Sequence, residues 1–126
     1  MAAGSAPILA VDDSASIREM IVSVLSGKGY QVSTAADGRE ALTRLRAATE
    51  PHIVLLDIVM PLMDGIAVVN EVEHDADLKA MGHRFVLMSS TVRMSQPDIP
   101  ATAGQLAKPF TRQQLTEMVQ SIERSL

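Results

Sequence analysis

Short apolar runs alternate with helix-type repeats along this chain. Runs that are apolar throughout are typical of parallel strands covered on both faces, and they occur at residues 8–11, 53–56 and 85–88. Elsewhere apolar residues recur every three or four positions, which predicts amphipathic helices after Asp13, Gly38, Gly65 and Thr111. Two further strands are predicted at 30–35 and 105–107.

Strands that alternate with helices predict a parallel sheet with helices on both of its faces. A helix is expected between Thr91 and Gly104, but that segment contains Pro97 and Pro100. Prolines at this spacing are incompatible with a regular helix interior, because proline lacks the backbone N–H and clashes with the preceding turn. The fourth helix of the alternation is therefore predicted to be short, irregular or missing.

Charged side chains follow three of the predicted strands. Asp12 and Asp13 come directly after the first strand, Asp57 follows the run at 53–56, and Lys108 follows the last strand. Ligands of parallel sheets bind outside the carboxyl ends of the strands. Together the acids and the lysine predict a site for one divalent cation and one phosphoryl group.

One other polar cluster is interpreted as ordinary surface. His74, Asp75 and Asp77 lie close in sequence, with His83 nearby. They lack the spacing of metal ligands, and we interpret the segment as a solvated loop.

Composition and charge favour one soluble domain and argue against several other classes of protein. The chain has 126 residues, which fits one domain, and its core must be aliphatic because aromatic residues make up only 2%. A net charge of −4 without a Lys/Arg run argues against nucleic-acid binding, and the absence of cysteine excludes disulfides and thiolate sites. With no membrane-length apolar run and no signal peptide, we expect a soluble cytoplasmic protein, disordered at 1–6 and folded as one domain over 7–126.

Four segments resemble the receiver domain of two-component response regulators, of the single-domain type known from chemotaxis. They are Val11-Asp12-Asp13-Ser14, the stretch from Leu56 to Gly65, Met88-Ser89-Ser90, and Lys108-Pro109-Phe110. They occur in order and at family-like spacing over nearly the whole chain. The resemblance implies a flavodoxin-like, doubly wound sheet of five parallel strands in the order 2-1-3-4-5.

The resemblance also implies residue roles. Asp57 is the phosphoacceptor, which takes the phosphoryl group from a phosphohistidine. Asp12, Asp13, Asp57 and the backbone carbonyl of Val59 are the implied ligands of Mg²⁺, with Mn²⁺ able to substitute. Lys108 supplies positive charge to the phosphoryl oxygens.

Further residues match the switch positions of the family. Ser89 matches the hydroxyl residue that reaches the phosphoryl oxygen, and Ser90 the small residue after it, although a shift of one residue would exchange their roles. Thr91 and Gln105 complete the implied readout positions. By resemblance, the peptide bond before Pro109 is cis.

Two features depart from the family pattern. Val59 is apolar where the family often has a polar residue, so we expect slow autodephosphorylation. Gln105 replaces the aromatic residue that many receivers use as a switch. Because the prolines also disrupt the helix region, residues 91–103 are predicted to be mobile and to order on phosphorylation or partner binding.

The implied function is that of a phosphoacceptor response regulator in which Mg²⁺-dependent transfer to Asp57 switches a protein-interaction surface. Such a protein is not an enzyme beyond catalysing its own phosphorylation and dephosphorylation. Its implied partners are a histidine kinase or histidine phosphotransfer protein and an unknown downstream protein. No nucleic acid and no membrane is expected to bind this domain.

Three alternatives remain open. An aspartyl-nucleophile phosphohydrolase of the haloacid-dehalogenase type would need an acid at the position of Val59. A receiver-like binding module that does not use phosphorylation would lack a key residue. A flavodoxin-like FMN carrier would need a hydroxyl-rich loop after the first strand, where this chain has Asp12 and Asp13.

Overall fold

The computed structural model describes residues 6–90 and 102–125. Five parallel strands form one sheet in the order β2-β1-β3-β4-β5. The strands are β1 Ile8–Val11, β2 Val32–Ala35, β3 Ile53–Asp57, β4 Arg84–Ser89 and β5 Gly104–Ala107. The predicted fold class and strand order are confirmed.

Helices cover both faces of the sheet. They are α1 Ala15–Ser26, α2 Gly38–Arg46, α3 Gly65–Glu73, α4 Ala76–Met81 and α5 Arg112–Arg124. Each begins after a side chain that accepts hydrogen bonds from backbone N–H groups of its first turn, namely Ser14, Asp37, Asp64, Asp75 and Thr111. Within the described ranges, every helix is too short or too polar to cross a membrane.

The strands alternate between two hydrophobic cores. On one face α2, α3 and α4 pack against Leu9, Val11, Val54, Leu56, Phe85 and Leu87. On the other face α1 and α5 pack against Ile8, Ala10, Ile53, Leu55, Val86 and Met88. Burying each such aliphatic side chain contributes about 1.5–3 kcal/mol, so a strand covered on both faces is apolar throughout.

Strand register sets the geometry of the carboxyl edge. Val11 of β1 pairs with Leu56 of β3, so Asp12 and Asp57, each one residue further along, lie next to each other. Asp57 in turn pairs with Met88 of β4. The charged residues that follow separate sequence runs therefore meet at one edge of the sheet.

The segment interpreted as a solvated loop contains a helix instead, so that interpretation was wrong. Asp75 caps α4 by accepting hydrogen bonds from the backbone N–H groups of Asp77 and Leu78, each at 3.1 Å. Leu78 is the buried residue of this helix. A helix of six residues with one buried position is too short to show a helical period, which is why the sequence pattern missed it.

The segment with Pro97 and Pro100 lies outside the described residues, except for its end. There Ala103 donates its backbone N–H to the carbonyl oxygen of Phe85, at 2.9 Å, just before β5 begins. The short, irregular or missing helix and the mobility of 91–103 stay predictions.

Candidate functional site

Two buried carboxylates lie side by side at the carboxyl edge of the sheet. Asp12 donates its backbone N–H to the carbonyl oxygen of Ala35, at 3.2 Å, and Ile58 donates to that of Met88, at 2.9 Å, which fixes the ends of β1 and β3. The relative exposure is 0% for Asp12 and 4% for Asp57. Buried carboxylates are costly unless positive charge or hydrogen bonds compensate them.

Lys108 supplies that positive charge from the end of β5. Ser89 pairs with Ala107 in the sheet, and the backbone N–H of Lys108 donates to the carbonyl oxygen of Ser89 at 2.8 Å. The Lys108 Nζ lies 2.7 Å from Oδ2 of Asp12 and 3.4 Å from Oδ2 of Asp57. The ammonium group therefore pairs mainly with Asp12 and only partly with Asp57.

Burial and charge perturb the site in opposite directions. Burial raises the pKa of Asp57 to about 6 and the neighbouring Asp12 carboxylate adds to the rise, whereas Lys108 and the backbone N–H of Val59 lower it. Burial lowers the pKa of Lys108, but the hydrogen bond to Asp12 and the charges of both aspartates raise it by more, so the net shift is upward. At neutral pH Asp57 is thus largely ionised and Lys108 is protonated.

A third carboxylate completes a cluster that fits a divalent cation. One oxygen from each of Asp12, Asp13 and Asp57 lies within 4.8 Å of the others, and Asp13 is exposed to solvent. Mg²⁺ prefers oxygen ligands and retains several waters, which suits a cluster with one open, solvent-facing side. Three carboxylates face one ammonium group, so the donor set has the excess negative charge that Mg²⁺ or Mn²⁺ would neutralise.

Hydrogen bonds hold the turn between β1 and α1. The backbone N–H of Ser14 donates to Oδ1 of Asp12 at 2.9 Å, and Nη1 of Arg18 donates to the Asp12 carbonyl oxygen at 2.6 Å. The sequence pattern did not single out Arg18, although its place in the second turn of a predicted helix could have suggested contact with the turn before it. With Lys108 on Oδ2, each oxygen of Asp12 accepts a hydrogen bond.

Two glycines hold the loop that follows Asp57. A Cβ atom added at Gly65 would clash with the carbonyl oxygen of Asp57 and lie 3.0 Å from Cα of Ile58, so α3 begins against the strand end itself. A Cβ at Gly38 would lie 2.8 Å from the carbonyl oxygen of Met63. The sequence placed both glycines just before predicted helices, but it did not show these close backbone approaches.

The predicted switch residues occupy different environments. Ser89 ends β4 and is 1% exposed, whereas Ser90 is exposed. Gln105 is exposed on β5, and Thr91 lies outside the described residues. The peptide bond between Lys108 and Pro109 is cis, as predicted.

Comparison with known families identifies the same domain. The family model of the response regulator receiver domain matches residues 8–120. The chain is 36% identical over 117 residues to a probable transcriptional regulator, ycf27, of Cyanophora paradoxa, covering 93% of this chain and 48% of that protein. It is 36% identical over 122 residues to the response regulator MprA of Mycolicibacterium vanbaalenii, covering 93% of this chain and 50% of that protein. The chain thus spans about half the length of the curated relatives it matches.

Solved structures with this fold include single receiver domains. The chemotaxis response regulator CheY4 of Vibrio cholerae superposes with a TM-score of 0.81 at 33% identity, covering 94% of this chain and 98% of that one. The response regulator TrrA of Thermotoga maritima, solved in complex with Mg²⁺ and BeF, superposes with a TM-score of 0.81 at 30% identity, covering 93% and 98%.

Proposed function

The chain belongs to the response regulator receiver family, and we propose that it accepts a phosphoryl group on Asp57 from a phosphohistidine of a partner protein. One observation carries this proposal: the almost fully buried Asp57 carboxylate lies beside a second buried carboxylate and 3.4 Å from the Lys108 ammonium group. Stability of the fold does not require so many charged side chains at one place. Transfer of an anionic group to Asp57 does, because the group needs a nucleophile and nearby positive charge.

The proposed step is a displacement at phosphorus. An oxygen of Asp57 forms a bond to the phosphorus atom while the bond from phosphorus to the histidine nitrogen breaks, and the electron pair stays on the imidazole. Lys108 is close enough to both carboxylates to move its ammonium group onto the incoming phosphoryl oxygens. Ser89, which is buried at the neighbouring strand end, is proposed to contact the same oxygens after transfer.

Asp12, Asp13 and Asp57, with the backbone carbonyl of Val59, are proposed to hold Mg²⁺. When bound, the ion supplies positive charge that offsets repulsion between the carboxylates and an anionic donor. The chain's own contribution is to hold Asp12 by Ser14 and Arg18, so that its carboxylate points along the strand end.

The alternatives receive less support from the same residues. A dehalogenase-type phosphohydrolase needs a carboxylate where this chain has Val59, which is apolar and 55% exposed. A binding module without phosphorylation would not require Asp12, Asp57 and Lys108 together. Catalysis is therefore proposed to be limited to the protein's own phosphorylation and dephosphorylation.

The proposed partners are a histidine kinase or a histidine phosphotransfer protein, followed by a downstream protein that reads the phosphorylated surface. One relative, 44% identical over 69 residues, is the DNA-binding response regulator MtrA of Mycolicibacterium paratuberculosis. This domain itself is proposed not to contact DNA, because its chain is acidic overall and carries no basic run.

Incubation with phosphoramidate and Mg²⁺, followed by intact-mass measurement, tests the proposal. The wild type is expected to gain the mass of one phosphoryl group, and Asp57→Asn none, because an amide is not a nucleophile here. Asp64→Asn is the matched control, since Asp64 only caps α3 and asparagine caps equally well. A phosphoryl adduct that persists on Asp57→Asn would refute the assignment.

The phosphoryl group on Asp57 is expected to be long-lived. Val59 projects an apolar side chain beside the site and cannot orient an attacking water by a hydrogen bond. Val59→Asn restores such a group while keeping the backbone carbonyl, and we expect it to shorten the half-life of the adduct by about tenfold, which is less than the roughly 10²–10⁴-fold contribution of a positioned general acid or base. A wild-type half-life of seconds would contradict this expectation.

A further inference from the structure

One edge of the sheet is open along β2. Among the residues that the structure describes, β2 comes first in the strand order and pairs with β1 on one side. The segment 30–36 carries no charged residue and no proline. Proteins usually protect such edges with charge, proline or a covering element, because an open edge pairs readily with another strand. The edge of β2 is therefore a surface to which a further strand can add.

The backbone groups that face this edge belong to Val32 and Thr34. The backbone N–H of Ile8 in β1 donates to the carbonyl oxygen of Gln31 at 2.8 Å, so alternate residues from Gln31 onward face β1. Backbone groups alternate in direction along a strand. Val32 and Thr34 therefore direct their N–H and C=O groups away from the sheet.

Both ends of the open stretch are closed by contacts within the chain. The backbone N–H of Ala36 donates to Oε1 of Glu40 at 2.8 Å. The backbone N–H of Tyr30 donates to the carbonyl oxygen of Leu25 at 3.1 Å. The stretch that is available for pairing is thus centred on Ser33, with one outward-facing residue on each side of it.

A groove on the α1 side of this edge has no net charge. It is a cavity of about 350 Å³, and Thr34 lies in its wall with Ala15 and Val22. Its charged residues, Arg18 and Glu19, have opposite signs. This groove suits an apolar side chain of an added strand.

A groove on the α2 side of the edge is positively charged. It is a cavity of about 180 Å³ that is lined by Ser33, Arg44 and His52, and the described residues around it include no acid. The Arg44 guanidinium lies 3.5 Å from the Glu40 carboxylate, and the two side chains are 48% and 44% exposed. Such an exposed pair is weak, so Arg44 can bind another carboxylate.

Charge decides between a second copy of the chain and a different protein. Two β2 edges could pair antiparallel about a two-fold axis at Ser33, because Val32 and Thr34 flank it symmetrically. The Arg44 side chains, each beside Ser33, would then meet near the axis and repel each other. A segment with an acidic side chain at this place pairs with Arg44 instead, which favours a different protein.

We propose that the β2 edge binds an extended segment of a partner protein as a sixth strand, in which acidic side chains facing α2 alternate with apolar side chains facing α1. Hydrogen bonds to Val32 and Thr34 hold the backbone of the segment, and the two grooves select its side chains. The site goes beyond phosphoryl transfer and does not depend on it, because β1 separates β2 from the strand that carries Asp57.

The first test uses a short, blocked, fluorescent peptide in which valine and glutamate alternate, with Kd measured by fluorescence anisotropy. A peptide with lysine in place of glutamate is expected to bind about fivefold more weakly. Arg44→Glu is expected to reverse this preference. Arg112→Glu is the matched control, because it makes the same change of charge at the beginning of α5 and is expected to keep the wild-type preference.

Methylation of peptide nitrogens separates strand addition from simple charge attraction. Alternate amides of an extended peptide face opposite sides, so methylating one set, either at valine or at glutamate, removes the hydrogen bonds to β2, and methylating the other set leaves them. One pattern is expected to weaken binding by at least about tenfold and the other to have little effect. In NMR, hydrogen exchange of the Val32 and Thr34 amides is expected to slow when the unmodified peptide is added.

Equal effects of the two methylation patterns would overturn the proposal, as would an Arg44→Glu variant that still prefers glutamate. No binding of any of the peptides to the wild type would overturn it as well. Protection of the Val32 and Thr34 amides that grows with protein concentration in the absence of peptide would overturn it in favour of a second copy of the chain.

Discussion

The two ends of β3 and β4 both carry polar side chains that are buried or half-buried, but the two ends differ in charge. At the amino end, the backbone N–H of His52 donates to Nδ1 of His83 at 3.0 Å, and the two rings meet edge to face with centroids 5.6 Å apart. Burial and the neighbouring His52 lower the pKa of His83 to about 4, so the His83 ring is neutral at pH 7. At the carboxyl end Asp57 and Lys108 are ionised at the same pH.

The two ends show how polar side chains with a structural role differ from polar side chains that bind a ligand. A neutral imidazole needs no counter-charge from solvent or a ligand, although the buried Nε2 atom of His83 has no hydrogen-bond partner among the described residues. Three carboxylates around one ammonium group remain unbalanced until a cation or a transferred group arrives. The same buried sheet thus tolerates polar groups at one end by neutralising them and keeps charge at the other for a ligand.

The largest expected change in the free energy of unfolding comes from removing the Lys108 ammonium group at the carboxyl end. Lys108→Met leaves two buried carboxylates without a counter-charge, and breaking a buried pair in this way costs about 3 kcal/mol. Urea unfolding in EDTA at neutral pH measures the loss. Added Mg²⁺ is expected to restore more stability to this variant than to the wild type, because the ion replaces the missing charge.

Lys79→Met is the matched control, since the Lys79 ammonium group lies 3.2 Å from Glu73 on an exposed surface. Such a pair contributes at most about 1 kcal/mol and has no reason to respond to Mg²⁺. Equal stability of Lys108→Met and wild type in EDTA would show that the carboxyl end does not depend on its lysine.

Sequence patterns predicted which charged residues meet at the carboxyl end, but they did not predict the contact between His52 and His83 at the amino end. Asp12 and Asp57 directly follow buried apolar runs, and parallel strands bring such positions to one edge, so their meeting followed from periodicity and topology. The contact between His52 and His83 joins positions before two strands that are far apart in the chain. No period marks it, and the cluster around Asp75 was misread for the same reason.

Loop geometry was also beyond the sequence. Leu62 has a positive φ of 69°, in a turn that is closed by a hydrogen bond from the Met63 N–H to the Pro61 carbonyl oxygen. Gly65 has no room for a Cβ atom because α3 approaches the end of β3 so closely. Both are consequences of tertiary packing and have no local signal other than a glycine and a proline.

The second expected effect is a gain in stability when the acceptor charge is removed. The pKa of Asp57 is about 6 in the folded protein and 3.8 for an unperturbed aspartate. Between these values the folded state binds more protons than the unfolded state, so the free energy of unfolding falls as pH rises through this window. In EDTA at about pH 8, Asp57→Asn is therefore expected to be more stable than wild type by about 2 kcal/mol, with the gain vanishing near pH 4.

Urea midpoints measured between about pH 4 and 8 check this expectation. Asp64→Asn is the control, because it removes an exposed carboxylate that caps α3 outside the site. A gain for Asp57→Asn that did not change with pH would mean that shape, rather than the acceptor charge, limits the stability of this end.

The smallest expected effect tests the neutral end and has the opposite sign with pH. The pKa of His83 is about 4 in the folded protein and 6.5 for an unperturbed histidine, so between these values the unfolded state binds more protons and stability rises with pH. His83→Asn keeps an acceptor for the His52 N–H but cannot titrate. Its free energy of unfolding is therefore expected to exceed that of the wild type by about 1 kcal/mol near pH 5.5 and to match it above pH 7.

His83→Ala also loses the acceptor, and its free energy of unfolding is expected to be lower than that of the wild type by about 1 kcal/mol at neutral pH. Because the titrations of His83 and Asp57 oppose each other, the contributions of these two residues to the stability of the metal-free wild type should largely cancel between about pH 4 and 6. Asp57→Asn and His83→Asn should then change the slope of stability against pH in opposite directions. A change of slope in the same direction for both variants would contradict the proposed difference between the two ends of the sheet.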